Sequence, residues 1–351
     1  MRSFIISLSL LAGVSLATMA EAQNARVRIV ATGGTIAGEQ AKAGEYGYKA
    51  GAFDVQQLID AVPNLNKLAV ISGEQVVKIG SQDMNDEVWL KLAKRTNAIL
   101  NSSDFDGVVI THGTDTLEET SYFLSLVTHS DKPIVMVAAM RPATAISADG
   151  PGNLYNAVAA AASPGAHGRG VLIAMNDELD YARNATKTNA TRVQTFASVN
   201  RGPAALVNTG TINWFQPLDK KYGRTSAFSV DQLTSLPRVD IIYAHPSMSV
   251  DLIDAAIKNG ARGLVIAGVG AGNMTQPALD RLAAAAKAGV AVVRSTRTGS
   301  GIIYRNNEID DDKMGFVASG ELNPGKARVL LQLSLTKTND VAEIQRYFNE
   351  Y

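Results

Sequence analysis

The chain has 351 residues, 46% of them hydrophobic and 19% charged, a globular composition long enough for two domains with well-buried cores. Lysine plus arginine and aspartate plus glutamate both total 33, so the formal net charge is zero and nothing favours a polyanion such as nucleic acid as a partner. Cysteine is absent, which excludes disulfides, thiolate nucleophiles and zinc–sulfur sites together.

Residues 1–22 differ from the rest. Arg2 supplies a positive start, residues 4–17 an apolar run, and Ala20-Glu21-Ala22 a small-x-small end. This pattern predicts a secretory signal peptide cleaved after Ala22, and hence a periplasmic protein. The apolar run is shorter than the roughly 20 residues a spanning helix needs, so no membrane association is expected.

The mature chain opens on VRIVATGGTIAG, residues 27–38. Val27, Ile29 and Val30 read as a short buried strand running into a turn with Gly33, Gly34 and Thr35. Residues 53–61 then have helical spacing and 76–79 form a short apolar run. Asn85 caps a helix that places Val88, Trp89, Leu92 and Ala93 on one face. Strand 108–111, helix 117–127, strand 134–138, helix 153–162 and strand 171–174 follow. Alternation of this kind predicts an α/β fold, a parallel sheet with helices on both faces.

The alternation breaks over 214–237, which is polar and turn-rich and reads as an inter-domain linker. A second run follows: strand 239–243, helix 252–258, strand 263–267, helix 278–288, strand 290–294, and a final helix from near Pro324 carrying Val329, Leu330 and Leu333. The expected organisation is a signal peptide (1–22), a larger α/β domain (23–213), a linker (214–237) and a smaller α/β domain (238–351).

Four turns follow predicted strands of the larger sheet: Gly33-Gly34-Thr35, Gly80-Ser81-Gln82-Asp83, THGTDT (111–116) and AAMRPATAISADGP (138–151). Parallel strands bring such turns to one sheet edge, where α/β folds bind ligands. The pooled hydroxyls, amide and carboxylate suit a small polar ligand carrying an amino and a carboxylate group. Thr35 is displayed there as the candidate nucleophile. A threonine hydroxyl is a weak nucleophile and needs a neighbouring base. Lys187 in TKTN, Asp115 in GTDT and Tyr48 in the glycine-rich loop are the candidates. Thr114, Asp115 and Lys187 together would form a relay, with backbone N–H groups of the two glycine-containing turns stabilising an oxyanion.

Other readings of single motifs are weaker. TGGTIAG lacks both the GxGxxG spacing and the Walker lysine of nucleotide sites, so no cofactor is expected. His112 beside Thr111 could suggest a Ser–His–Asp enzyme, but no GxSxG elbow exists. The four histidines, His112, His129, His167 and His245, form no HExxH or i,i+4 pair, so no metal is expected. Ser334 and Lys337 match SxxK on the last apolar helix, where chance accounts for them.

TGGTIAG near the mature start together with THGTDTLEE resembles the bacterial type II L-asparaginases, the exported branch, some members of which also hydrolyse glutamine. The resemblance extends through GYKAGAFDVQQLIDAVP, IGSQDMNDEVW, VVITHGTDTLEETSYFL, KPIVMVAAMRPATAISADGP, TKTNA, VVRSTRTGSG and GFVASGELNP, essentially the whole mature chain. It implies Thr35 as primary nucleophile and Tyr48 as its flexible-loop partner, with Thr114, Asp115 and Lys187 as the second threonine and its relay. It also implies Ser81, Gln82 and Asp115 on the substrate's α-carboxylate and α-amino groups, and the backbone carbonyl of Ala139 on the substrate amide. Asn273 and Glu308 match positions that a neighbouring subunit contributes, so the resemblance implies a homotetramer with shared sites. The glycine- and lysine-containing segment 39–51 is expected to be a lid that orders on binding. GYKAGAF looks like members with more glutaminase activity, whereas IGSQDMND and GAGN look like strict asparaginases. Asparagine preferred and glutamine accepted weakly is the resulting expectation, since one methylene is worth only about 1–3 kcal/mol in a pocket. The rivals are a periplasmic amino-acid binding protein and a dinucleotide-dependent oxidoreductase, neither of which requires THGTDT.

Overall fold

The computed structural model describes residues 25–42, 44 and 47–351; the expected signal peptide lies outside the described residues. The chain leaves strand β1 (Arg26–Gly33), makes a small hairpin from β2 (Glu39–Gln40) and β3 (Tyr48–Lys49), and re-enters the sheet at β4 (Val70–Ile79). Strands β5 (Gly107–Thr111), β6 (Ile134–Val137) and β7 (Val171–Met175) follow, with helices between them. These five strands pair in parallel in the order β7-β6-β5-β1-β4. Strand β8 (Glu178–Tyr181) turns the chain antiparallel. After a two-stranded ribbon of β9 (Thr186–Lys187) and β10 (Phe196–Ala197), strands β11 (Ala205–Asn208) and β12 (Thr211–Trp214) complete an eight-stranded sheet.

Side chains alternate faces along a strand, and here both faces are covered. Ile29, Val109, Val135 and Val137 pack against helices α1 (Val55–Asp60), through Leu58, and, further along the chain, 150–162, through Leu154 and Val158. Val30, Val108, Ile110, Ile134 and Met136 face the opposite way. They meet α2 (Asp86–Asn101), through Trp89 and Leu92, and α3 (Leu117–Val127), through Phe123 and Leu126. The 150–162 helix is α4 (Gly150–Ala162). Asn85 caps α2 by accepting the Val88 N–H at 3.0 Å.

The smaller sheet is fully parallel: β13 (Val239–Tyr243), β14 (Gly263–Gly268), β15 (Ala291–Thr296) and β16 (Phe316–Ala318) lie in chain order. Helices α5 (Asp251–Lys258) and α6 (Gln276–Lys287) cover one face through Ile253 and Leu282. A one-turn helix, α7 (Asp311–Met314), precedes β16, and α8 (Pro324–Ser334) and α9 (Val341–Glu350) follow it. The second face, through Val265, Val293 and Val317, shares one core with α8, α9, α2 and α3. Helix α8 is thus the wedge between the two sheets.

The fold is the expected α/β pair of sheets, with three differences. The larger sheet is mixed, because β8, β11 and β12 extend it antiparallel. Each is only four residues long, too short for its alternation to mark a strand against the turns around it. Strand β4 begins at Val70, six residues before the apolar run, since an edge strand needs only partial burial. The helix starting at Pro324 is not the last one: α9 follows it, short and polar on one side, with Ile344, Tyr347 and Phe348 inward. Between β12 and β13 the chain has a single 3-10 turn at Gly223–Thr225, yet Phe228 and Val230 are fully buried. The Phe228 ring lies 5.0 Å from that of Tyr347 and 5.1 Å from that of Tyr351.

Candidate active site

The four glycine- and hydroxyl-bearing turns do meet at the carboxyl edge of the parallel strands. Their closest approach is backbone on backbone. Gly34 sits at φ 79° and ψ −175°, a region essentially reserved for glycine, and a Cβ there would lie 2.3 Å from the Gly113 nitrogen. The Gly34 N–H also donates to the Ile79 carbonyl at 2.9 Å, joining this turn to the end of β4. Ser81 Oγ accepts the Asp115 N–H at 3.1 Å, and Thr116 Oγ1 donates to the Ser81 carbonyl at 2.7 Å. Three turns from β1, β4 and β5 are therefore bonded into one unit.

Two hydroxyl pairs stand on this unit. Thr35, only 8% exposed, begins a 3-10 turn, and its Oγ1 lies 2.8 Å from the hydroxyl of Tyr48. Tyr48 comes from β3 of the hairpin, whose partner β2 is anchored by the Gln40 N–H donating to Thr144 Oγ1 at 2.9 Å. On the other side, Lys187 Nζ donates to Thr114 Oγ1 at 3.0 Å and to Asp115 Oδ1 at 2.6 Å. Lys187 is carried by β9 and paired across the ribbon with Phe196. A threonine held by a lysine, itself oriented by a carboxylate, is a geometry suited to moving a proton.

Ala139 follows β6 and is fully buried. Asp149 accepts from the N–H groups of Met140 and Arg141, both at 2.9 Å, and Asn153 Nδ2 donates to the Ala138 carbonyl at 3.0 Å. In a planar trans peptide the carbonyl of Ala139 points opposite to the Met140 N–H, away from Asp149. Asp149 lies in the expected site turn 138–151 and Asn153 opens the helix expected over 153–162, but neither carried an expected role at the site. Gln82 is exposed, its side chain folded back over Gly80.

Asn273 and Glu308 lie on the smaller sheet's loops. Asn273 Nδ2 donates to Glu308 Oε2, and neither residue hydrogen-bonds to the other eight candidates. The structure thus brings eight residues to one edge and the remaining two to each other. Through its ring, His112 hydrogen-bonds to none of these ten residues. It is fully buried, burial pulls its imidazole down to about 4, and its Nδ1 meets only the Gly113 carbonyl, at 2.7 Å. Among the described residues no cluster of three His, Asp or Glu side chains is arranged to hold a metal ion.

Fold and site together define a two-sheet α/β enzyme that gathers paired hydroxyls, an ammonium and a carboxylate at one sheet edge. Residues 26–220 match the family model described as "Asparaginase, N-terminal", and residues 238–348 that described as "Glutaminase/Asparaginase C-terminal domain". The chain belongs to the asparaginase family and is an amidohydrolase. It is 53% identical to the "Probable L-asparaginase periplasmic" of Haemophilus influenzae, over 97% of this chain and 96% of that one. It is 51% identical to "L-asparaginase 2" of Escherichia coli, over 93% of each, and 44% identical to the "Glutaminase-asparaginase" of Pseudomonas fluorescens biotype A, over 93% and 91%. Among solved structures, that of the "Probable Cytoplasmic L-asparaginase" from Campylobacter jejuni superposes with a TM-score of 0.90 at 45% identity, covering 93% of this chain and all of that one.

Proposed function

We propose that this chain hydrolyses the side-chain amide of L-asparagine to L-aspartate and ammonia, with weaker activity on L-glutamine. The observation that carries this reading is the pairing of Thr35 with Tyr48 and of Thr114 with Lys187 and Asp115 on turns bonded to one another. Thr35 Oγ1 attacks the amide carbon, passing its proton through Tyr48 or the Thr114–Lys187 pair. Backbone N–H groups of the glycine turns stabilise the oxyanion, and the amide nitrogen takes up a proton and leaves as ammonia. Water then attacks the Thr35 ester, releasing L-aspartate and restoring the hydroxyl. Ser81 and Gln82 hold the substrate's α-carboxylate, Asp115 its α-ammonium, and the Ala139 carbonyl accepts from its amide.

Asn273 and Glu308 complete the site of a neighbouring copy in a homotetramer, which light scattering tests by mass. Residues 23–213 and 238–351 act as catalytic and smaller domains joined by 214–237. The protein is exported to the periplasm, and N-terminal sequencing of the mature chain should begin at Gln23. The name of the Haemophilus influenzae relative supports export.

Ammonia release from L-asparagine and L-glutamine by the purified mature chain, beside Thr35→Ala, tests the reading. Activity on asparagine that falls by about a thousandfold or more in the variant supports it. Binding of L-aspartate without any ammonia release would favour a solute-binding protein instead. An active Thr35→Ala would move the nucleophile to Thr114.

A further inference from the structure

Lys326 is a buried lysine with no part in the chemistry above. It stands in the first turn of α8, 2% exposed, close to where a helix dipole disfavours a cation. Burial lowers its pKa, and the Glu118 carboxylate opposes that shift. Neither its place nor its burial is what stability alone would select, so its partners are informative.

Those partners are the two supports of the Lys187–Thr114 pair. Lys326 Nζ donates to the carbonyl of Arg183 at 3.0 Å and to the carbonyl of Ala185, in the stretch leading directly into Thr186 and Lys187. It also pairs with Glu118 Oε2 at 3.5 Å. Glu118 lies in the first turn of α3, three residues beyond Asp115. A second bridge runs in parallel: Asn323, the cap of α8, donates from Nδ2 to Glu118 Oε2 at 2.8 Å and to Thr186 Oγ1 at 3.4 Å. Asn323 Oδ1 accepts the Lys326 N–H at 3.0 Å, so both bridges spring from one helix turn.

We propose that Lys326 is a positioning residue for the Lys187–Thr114 pair, its ammonium tying the 183–187 segment and the start of α3 to one point on α8. The inference rests on the amide-hydrolysis reading given above. Helix α8 follows the last strand of the smaller sheet, so that sheet's placement sets the 3.0 Å separation of Lys187 and Thr114 in the larger one. A structural suture alone would hold the fold and leave turnover per folded molecule unchanged. A positioning tie acts through Lys187 and loses its effect once Lys187 is gone.

A double-mutant cycle separates the two. Wild type, Lys326→Met, Lys187→Met and the double variant are assayed for kcat and KM on L-asparagine, with cooperative thermal unfolding as the check of folding. Lys326→Met is expected to lower kcat by about tenfold or more with KM within about threefold, and to change kcat by less than about threefold in the Lys187→Met background. Equal losses in both backgrounds, or a Lys326→Met kcat within about twofold of wild type, overturn the proposal. If Lys326→Met does not fold, Glu118→Gln enters the same cycle under the same criteria. A wild type that releases no ammonia overturns the amide-hydrolysis reading itself. An active wild type, an impaired Lys187→Met and equal losses overturn only the role given to Lys326.

Discussion

Gly38→Ala isolates the contact between the hairpin and Thr35. Gly38 has φ −87° and ψ 147°, which alanine adopts freely, so the effect is steric. The new methyl carbon would stand 2.9 Å from Tyr48 Cδ2, 2.9 Å from the Thr35 carbonyl oxygen and 3.2 Å from Pro142 Cβ. Carbon–carbon contact is comfortable at about 3.5 Å, so the ring must retreat by about 0.5 Å. Tyr48 is 43% exposed and is the neighbour free to give way, whereas the Thr35 carbonyl accepts the Gly38 N–H at 2.8 Å within the turn. Retreat stretches the 2.8 Å contact of the Tyr48 hydroxyl with Thr35 Oγ1 to about 3.3 Å, a much weakened hydrogen bond. Complete loss of a hydrogen bond is worth about 1 kcal/mol, or roughly fivefold, which bounds the binding part of the effect; misplacing a group that handles the nucleophile's proton costs more. The expected result is a fall in kcat of about 10- to 100-fold. The 2.9 Å contact with the Thr35 backbone oxygen is not relieved by the ring, so a stability loss of about 1–3 kcal/mol is expected, offset in part because alanine loses less chain entropy on folding. Steady-state ammonia release and thermal unfolding measure both. A kcat within twofold of wild type would refute the importance of the Tyr48–Thr35 contact. A loss of activity that merely follows a collapse in Tm would refute the claim that the ring gives way.

Gly34→Ala should be far more damaging, because its Cβ meets the Gly113 backbone in a conformation closed to L side chains. A loss of about 3–5 kcal/mol is expected in denaturant unfolding, with turnover lost alongside, and an unchanged midpoint would refute the close approach. His112 supplies a pH prediction. Its ring is neutral in the folded protein with a pKa pulled from 6.5 to about 4, so the unfolded chain takes up the proton first as pH falls. Its effect on stability is constant above about pH 6.5 and turns unfavourable between 6.5 and 4, by up to about 1.4 kcal/mol per pH unit. Denaturation of wild type and His112→Gln across that window should show the stability gap shifting against wild type by about 3 kcal/mol; a constant gap would refute it.

Much of the architecture was legible because both faces of the parallel strands are buried, which leaves continuous apolar runs such as Ile134–Val137 bounded by glycine or polar turns. The turns announced themselves for the same reason: TGGT and THGT follow such runs directly, and the residues within them are the ones the structure places side by side. What pattern reading could not supply was contact across long sequence separations. Lys326 sits in an apolar helix and reads as an exception to it; only three-dimensional packing brings it to Arg183, Ala185 and Glu118. Phe228 and Val230 sit in a polar stretch with no period of 2 or 3.6, so no local signal marks their burial. The strands β8, β11 and β12 are defined by their pairing more than by their composition.

The core shared by the two sheets limits how this chain can be taken apart. Val265, Val293 and Val317 of the small sheet rest on the same helices that back Val30 and Ile110 of the large one. Exchanging residues 238–351 as a block with those of a relative would leave the new α8 facing a foreign α3, with mismatched volumes along the whole seam. The natural unit of recombination is therefore the seam with both its sides, and heating should melt both sheets in a single calorimetric transition.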